Sequence, residues 1–215
     1  MRLFMRHFLI QNKLRNSILK FLVIHLFIIL NFLFSSEFIL SSKLSNWEIL
    51  QDYPIWIGWI EHNESQWCRA KTTLHVPMED ISTIIEDKTN YPKVFKRVES
   101  VRTITDKIVH IVLDMPFPFY GRDYIVSYTE FQKEGDTVYQ FATVKDSEIP
   151  IHKDYVRLIH AAGEWRLHPL DESSTEVSYT WNGELLGDFP DWALSRAWGI
   201  QGDEVLNWLK EAVQD

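Results

Sequence analysis

The side chains best suited to metal binding in this sequence are a single cysteine and a scattered set of histidines. His62, Cys68 and His75 are spaced too widely for a zinc motif, and no His-Glu-x-x-His sequence occurs. A single cysteine also excludes an internal disulfide and a zinc site built from four cysteines. We therefore predict no metal site, and we expect Cys68 to be a small buried apolar residue.

Three other histidines, His110, His160 and His168, have side chains that could act as general acids or bases. No serine or cysteine nucleophile stands beside any of them in a known motif, and the Gly-x-Ser-x-Gly nucleophile elbow is absent. The acidic pair Asp171-Glu172 is typical of a solvated turn. These residues therefore predict no catalytic centre.

The charge distribution argues against a nucleic-acid partner. The chain has 22 basic and 30 acidic residues, but residues 1–36 contain five basic residues and no acidic ones. The remainder therefore carries 17 basic and 30 acidic residues, a net charge of −13. A nucleic-acid phosphate backbone is bound by clustered lysine and arginine, so this acidic body does not favour that class of partner, and we predict none.

The first 43 residues are typical of a targeting segment. Residues 21–34 read FLVIHLFIILNFLF and follow the basic stretch. This order predicts a signal peptide or an N-terminal membrane anchor over residues 1–43, with residues 44–215 exported or held at the cell envelope. The apolar run is shorter than the roughly 20 residues of a usual spanning helix. The alternative is a start codon placed too early, which would leave the protein cytoplasmic.

The elements of residues 44–215 indicate an α+β domain. Alternating patterns and turn residues predict strands over 55–61, 66–75, 98–105, 108–114, 122–132, 138–145, 155–162, 163–170 and 175–185. Residues 45–52 fit either a short helix or the entry to a strand. A short helix follows Pro77, and a long one runs from about Asp188 to Val213. Because βαβ alternation is missing, we predict a curved antiparallel sheet wrapped around the last helix.

Several short motifs stand in the order found in START (steroidogenic acute regulatory protein-related lipid transfer) domains, which belong to the helix-grip superfamily. They are Trp47, the run Trp67 to Lys71, Arg122-Asp123 after the MPFPFYG segment, Val156-Arg157, Val177 to Tyr179, and the run Gly187 to Trp192. The resemblance covers residues 47–213. It implies a helix-grip fold with a tunnel for one hydrophobic molecule, often a sterol or phospholipid. It also implies no cofactor and usually no catalysis.

The resemblance implies that the tunnel wall comes from the sheet and the last helix. The family pattern favours the tunnel face for Tyr124, Val126 and Tyr128. At the position of Tyr128, some sterol-binding relatives have a basic residue instead. The other candidate ligand contacts are large side chains on or beside the sheet and on the last helix, although core packing is an equal alternative for them: Tyr91, Phe141, Trp181, Trp192, Leu194 and Trp198. Arg122, Asp123 and Arg157 are interpreted as structural, as a strand-end ion pair or as ligands of the backbone. The alternative for Arg122 and Asp123 is a polar contact inside the cavity.

The predicted function is therefore non-enzymatic binding or transfer of a lipid or another hydrophobic small molecule. One alternative is an aromatase/cyclase-like enzyme of the same superfamily, and another is an envelope protein that uses the fold to bind a partner protein. Buried ligands need an opening, and lids come from less stable segments. The candidates for this gate are residues 146–154 and 187–192.

Overall fold

The computed structural model describes residues 44–144, 149–151, 154–187 and 189–214. The targeting segment predicted over residues 1–43 lies outside these residues, as do most of the predicted gate at 146–154 and Asp188 of the second gate. Among the described residues, no helix combines the length and apolarity needed to cross a membrane.

Ten described strands form one sheet. They are β1 (Glu48–Gln51), β2 (Trp56–His62), β3 (Ser65–Leu74), β4 (Val98–Thr103), β5 (Ile108–Leu113), β6 (Gly121–Lys133), β7 (Asp136–Thr143), β8 (Tyr155–Arg157), β9 (Ala162–Asp171) and β10 (Ser174–Asn182). Nine of them follow the order β1-β2-β3-β10-β9-β7-β6-β5-β4, and all neighbours in this path are antiparallel. The predicted α+β fold is confirmed, and residues 45–52 supply a strand rather than a helix.

One predicted strand differs from the structure. Residues 155–162 form only the three-residue strand β8, which pairs with β6 in parallel. The cause is the length of β6, whose pairing with β7 begins only at Val126. The segment Gly121–Asp123 would otherwise have an unpaired edge towards β7, and β8 supplies its hydrogen-bonding partner.

The described residues form three helices beside the sheet: α1 (Met78–Glu86), α2 (Tyr91–Val94) and α3 (Leu194–Ala212). Short 3₁₀ turns at Lys88–Asn90 and Asp191–Ala193 precede α2 and α3. Helix α1 buries Ile81 and Ile85, which are four residues apart and so share one face. Glu79 and Asp80 lie at its positive N-terminal end, which is favourable for the helix dipole.

Helix α3 is held against one side of the sheet, at β1, β2 and β3. Gly202 makes this close approach possible, because a Cβ atom there would lie 3.0 Å from the Cβ of Ala70 and 3.2 Å from Ile57 Cδ1. Below it, Leu206 and Leu209 are completely buried. The helix therefore covers only the β1–β3 side closely, which leaves space between its other flank and the strands β10, β9, β7 and β6.

Candidate functional site

A cavity of about 360 Å³ lies between the concave face of the sheet and helices α2 and α3. Its lining is mainly aromatic and aliphatic. The aromatic members are Tyr91, Phe95, Phe119, Tyr124, Tyr128, Phe141, Trp165, Tyr179, Trp181, Phe189, Trp192 and Trp208. The volume is at the low end of the roughly 300–1,000 Å³ of small-molecule sites, and the apolar lining is typical of them.

The aromatic rings of the cavity floor form a continuous cluster. Tyr179 is central, with its ring centroid 4.4 Å from Trp165, 5.0 Å from Trp181 and 6.3 Å from Phe141. Gly163 allows this arrangement, since a Cβ atom there would lie 2.5 Å from Phe141 Cζ. The cluster is built from alternate residues of β10, β9 and β7, because every second side chain of a strand points to the same face.

Tyr91 of α2 and Tyr128 of β6 both line the cavity. The Tyr91 hydroxyl donates to the carbonyl oxygen of Ile85 over 2.7 Å, and the Tyr128 hydroxyl interacts electrostatically with that of Tyr91. Burial raises the pKa of both hydroxyls, so both are neutral at physiological pH. Lys88 Nζ lies 4.4 Å from the centroid of the Tyr128 ring.

Three polar groups of the lining have no partner in the described part of the chain. The hydroxyls of Tyr124 and Tyr179 make no hydrogen bond there, and the Nε1 atom of Trp181 is buried without a partner. Trp181 is only 4% exposed. Burial raises the pKa of Tyr124 and of Tyr179, which keeps both hydroxyls protonated. The wall of the apolar cavity thus includes two tyrosines, Tyr124 and Tyr179, whose hydroxyls have no partner among the described residues.

Charged side chains lie at the open side of the cavity. Arg97 contacts Glu204 of α3 through two hydrogen bonds of 2.5 and 2.8 Å, which tie the helix to the chain just before β4. The hydrogen bond to Glu204 raises the pKa of Arg97 above its ordinary value. Asp114 and Arg196 also border the opening and are exposed to solvent. A charged group of a ligand would therefore be solvated at this side of the cavity.

Exposed aromatic residues surround the mouth, where the loop 114–120 meets the segment before α3. Phe119 packs on Phe189 with ring centroids 4.5 Å apart. Trp192 borders the cavity with 84% of its surface exposed, and Phe117 in the same loop is 97% exposed. Large exposed aromatics at the rim of a cavity are typical of a surface that meets another apolar phase or partner.

Arg122 holds the two segments of the mouth together. It is completely buried and borders the cavity. Its guanidinium donates to the carbonyl oxygens of Leu185 (2.8 Å) and Leu186 (3.0 Å), ahead of α3, and to that of Tyr120 in the other segment. The side chain thus acts as a ligand of the backbone on both sides of the opening.

Asp123 points to the opposite face of β6 and forms an ion-pair cluster there. It accepts two hydrogen bonds from Arg157, at 2.8 and 2.6 Å, and its Oδ2 lies 2.7 Å from His110 Nε2. Burial by itself raises the pKa of Asp123, but the hydrogen bonds from Arg157 and His110 outweigh it and lower the pKa overall. Since Arg157 is in β8, the cluster fixes that short strand to β6.

Most of the predicted contacts come together at the cavity. Part of the cavity wall is formed by five of them: Tyr91, Tyr124, Tyr128, Phe141 and Trp181. Trp192 is at the mouth rather than inside. Whether these residues bind a ligand stays a prediction.

The structure places three predicted wall residues in the packed core instead. Val126 shares a face with Tyr124 and Tyr128, but it is completely buried and its short side chain does not reach the cavity. Leu194 and Trp198 lie on the flank of α3 that packs against the sheet. The Trp198 ring centroid is 5.0 Å from that of Trp59, and its indole N–H donates to Gly183 O over 2.7 Å. The cavity flank of α3 is formed by Ala197, Gln201, Val205 and Trp208 together with Ala193 just before it.

Several wall residues were not predicted. Tyr179 could have been found, because it lies two residues before Trp181 on a strand and must share its face. Trp165 lies opposite Tyr179 in the β9–β10 pairing, which no spacing in the sequence reveals. Phe95 directly follows α2, and its position depends on how this short helix packs, so the sequence carried no recognisable signal for it.

The candidate acid–base and metal-binding residues are not part of the described lining. His110 pairs with Asp123, and His168 Nδ1 lies 2.6 Å from Asp136 Oδ1. Burial raises the pKa of the Cys68 thiol, which keeps it protonated and unreactive. In the described ranges, no group of three or more His, Cys, Asp or Glu side chains could hold a metal ion.

Comparisons with known proteins identify the fold. No protein-family model matches the chain. An uncharacterised protein of Pseudomonas aeruginosa is 24% identical over 172 residues, which cover 77% of this chain and 84% of that protein. The crystal structure of a STAR-related lipid transfer protein from Xanthomonas axonopodis has a TM-score of 0.69 at 20% identity, covering 80% of this chain and 100% of that one.

A human relative has the same architecture. Human StAR-related lipid transfer protein 5 has a TM-score of 0.73 at 15% identity, covering 82% of this chain and 91% of that one. At such identities the likeness is one of fold. The chain thus has the START-like helix-grip fold, as its motifs predicted.

Proposed function

We propose that this protein binds a hydrophobic ligand in the cavity and carries it without changing it chemically. The observation that carries the proposal is the aromatic-lined space of about 360 Å³ between the sheet and α3. Burying an apolar ligand there removes its surface from water and stabilises the complex by about 25 cal/mol per Å². An unfilled space of this size would instead reduce the stability of the fold.

The names of the structural relatives support this choice. The Xanthomonas protein and the human protein with the same fold are both described as lipid transfer proteins. Fold alone does not define function, so the argument also depends on the chain's own lining. That lining combines an apolar floor with a few polar groups, which is the composition that orients a single lipid-like molecule.

A carrier is favoured over an aromatase/cyclase-like enzyme because of the polar residues that border the cavity. An enzyme of that kind needs an acid or base placed against its substrate. The described lining contains no histidine, and its carboxylates belong to Asp114, Glu184 and Glu204 at the open side. The tyrosine hydroxyls inside have raised pKa values and are poor bases at neutral pH.

Lipid extraction from the purified full chain tests the proposal. We expect an organic extract to contain one apolar molecule in amounts close to those of the protein. Adding this molecule back to delipidated protein should raise the melting temperature, because a ligand that binds only the folded state stabilises it by mass action. An empty extract, together with no melting shift for the lipids of the host membrane, would reject the carrier function.

We also propose that residues 1–43 direct the chain to the cell envelope, on the basis of their basic and apolar segments. Fractionation of cells that express the full chain, or a version starting at Leu44, tests this. We expect only the full chain in the envelope fraction. Equal amounts of both in the cytoplasm would favour the misplaced start codon.

A further inference from the structure

The aromatic lining of the cavity contains a row of four stacked rings. Tyr179 is near-parallel to Trp181, with planes 16° apart and centroids 5.0 Å apart, and its centroid lies 4.4 Å from that of Trp165 at 32°. Trp165 in turn stacks on Phe95 at 5.9 Å and 29°. Near-parallel rings this close overlap face to face, because rings side by side in one plane would clash. These four residues are called the ring row below.

The ring row therefore presents ring edges rather than ring faces to the cavity. One face of the Tyr179 ring is too small for two indoles, so Trp165 and Trp181 cover both of its faces. All four residues line the cavity, yet Trp165, Trp181 and Phe95 expose only 3%, 4% and 5% of their surface. A ring that lay flat on the wall would expose a whole face, so these small fractions indicate edges.

The helix side of the cavity begins with small side chains. Ala193 and Ala197 border it, and Gln201 follows at the same spacing of four residues, which places the three on one side of the helix and of the turn before it. An alanine side chain protrudes by a single methyl group. The cavity between sheet and helix therefore has room for a flat molecule along this side.

Ring edges select a ligand by its electrons as well as by its size. The edge of an aromatic ring carries positive partial charge and the face carries negative partial charge, so an edge is attracted to the face of another aromatic ring. A saturated ring or an acyl chain has no such face, and its binding gains only from the burial of apolar surface. A wall of several ring edges thus favours a ligand with an extended aromatic face.

We propose that the ligand is a flat conjugated ring system, which lies with one face across the edges of Phe95, Trp165 and Tyr179 and with the other face towards α3. This assignment rests on the proposed carrier function and specifies its ligand class. Edge-to-face contacts with several rings at once distinguish such a molecule from a sterol or an acyl chain of similar size.

The test compares three hydrocarbons with the same number of carbon atoms: anthracene, perhydroanthracene and tetradecane. Each is equilibrated by dialysis with the delipidated full chain, and bound and free amounts are measured by gas chromatography. Each affinity is divided by the partition coefficient of the probe between hexadecane and water, which removes differences in plain hydrophobicity. The variants are Tyr179→Leu and Phe95→Leu. The matched control, Phe131→Leu, changes a partly buried ring of β6 that lies outside the described lining.

We expect wild type to prefer anthracene over perhydroanthracene by about tenfold, because contacts with two or more ring edges add to the burial of apolar surface. Each variant should reduce this preference by about threefold, since an aliphatic side chain replaces a ring edge. Phe131→Leu should keep the wild-type preference. Circular dichroism verifies that each variant is folded, and the wild-type preference remains a test where a replacement prevents folding.

The outcomes separate this inference from the carrier function. If at least one hydrocarbon binds but wild type shows no preference for anthracene, the ring-row assignment is rejected and the carrier function stands. The same conclusion follows if Tyr179→Leu and Phe95→Leu both fold and both keep the wild-type preference. If none of the three hydrocarbons binds wild type, both proposals are rejected.

Discussion

At the scale of single residues, the two neighbours Arg122 and Asp123 perform separate tasks on opposite faces of β6. Arg122 bonds to carbonyl oxygens on both sides of the cavity mouth, while Asp123 fixes β8 through Arg157. The sequence indicated a structural role for this dipeptide. It could not identify the partners, because Arg157 and Leu185 come from distant parts of the chain.

The first prediction concerns Arg122. Replacing it by methionine leaves the carbonyl oxygens of Tyr120, Leu185 and Leu186 without their donor. We expect the free energy of unfolding to fall by about 3 kcal/mol or more. Urea unfolding measures this, with Arg102→Met on the exposed side of β4 as the control. A loss no larger than the control's, which should be within about 0.5 kcal/mol, would contradict the assigned role.

The second prediction concerns Asp123 and acid. Folding lowers its pKa below the ordinary value of about 3.9, so its contribution to stability is complete above that value and is lost as the pH falls through the folded pKa. Asp123→Asn should therefore be clearly less stable than wild type at neutral pH, and the difference should shrink with acidification below about pH 4.

Urea unfolding over a pH series measures this difference. Asp106→Asn, in the exposed turn between β4 and β5, is the control. A stability difference between wild type and Asp123→Asn that stays constant down to the lowest pH would show that the ion pair with Arg157 does not stabilise the fold.

At the scale of elements, helix α3 presents different flanks to the core and to the cavity. Most strands and the helices α1 and α3 could be predicted, because period-two and helical spacing are local properties. The flank of α3 that faces the cavity could not be predicted. The helix is apolar over a wide arc, and its rotation about its own axis depends on tertiary contacts. Gly202 against Ala70 sets that rotation and turns Trp198 into the core.

The third prediction compares two tryptophans of α3. Trp198 is 2% exposed and packs on Trp59, so Trp198→Ala should cost about 3–5 kcal/mol of unfolding free energy. Trp208 borders the cavity and is only partly buried. We expect Trp208→Ala to cost clearly less and to weaken ligand binding. Denaturant unfolding measures the loss of unfolding free energy, and ligand titration measures the change in affinity. Equal stability losses with unchanged binding in Trp208→Ala would mean that this flank does not face the ligand.

At the scale of the whole molecule, the cavity and its aromatic rim predict exchange of ligand with a membrane. Phe117 and Trp192 are almost fully exposed, and aromatic side chains are favourable at the boundary between lipid and water. The negative charge of residues 37–215 favours zwitterionic over anionic lipid surfaces.

The fourth prediction tests this rim. Phe117→Ser and Trp192→Ser should slow ligand transfer to phosphatidylcholine vesicles several-fold, while melting temperatures stay close to wild type because both side chains are exposed. Tyr53→Ser is the control, since Tyr53 is 87% exposed and lies outside the described lining. Wild-type transfer rates in both rim variants would place the docking surface elsewhere.

The most direct test of the central claim is native mass spectrometry of the full chain and two matched tryptophan variants. Ala197 faces the cavity from α3, whereas Ser195 lies on the exposed side near the start of the same helix. Ala197→Trp fills part of the cavity at a stability cost of about 1–3 kcal/mol, and Ser195→Trp adds the same side chain to the surface. We predict one apolar molecule per chain in wild type and in Ser195→Trp, and none in Ala197→Trp. A ligand-free wild type, or a folded Ala197→Trp that keeps the ligand, would contradict the claim that this cavity is the binding site.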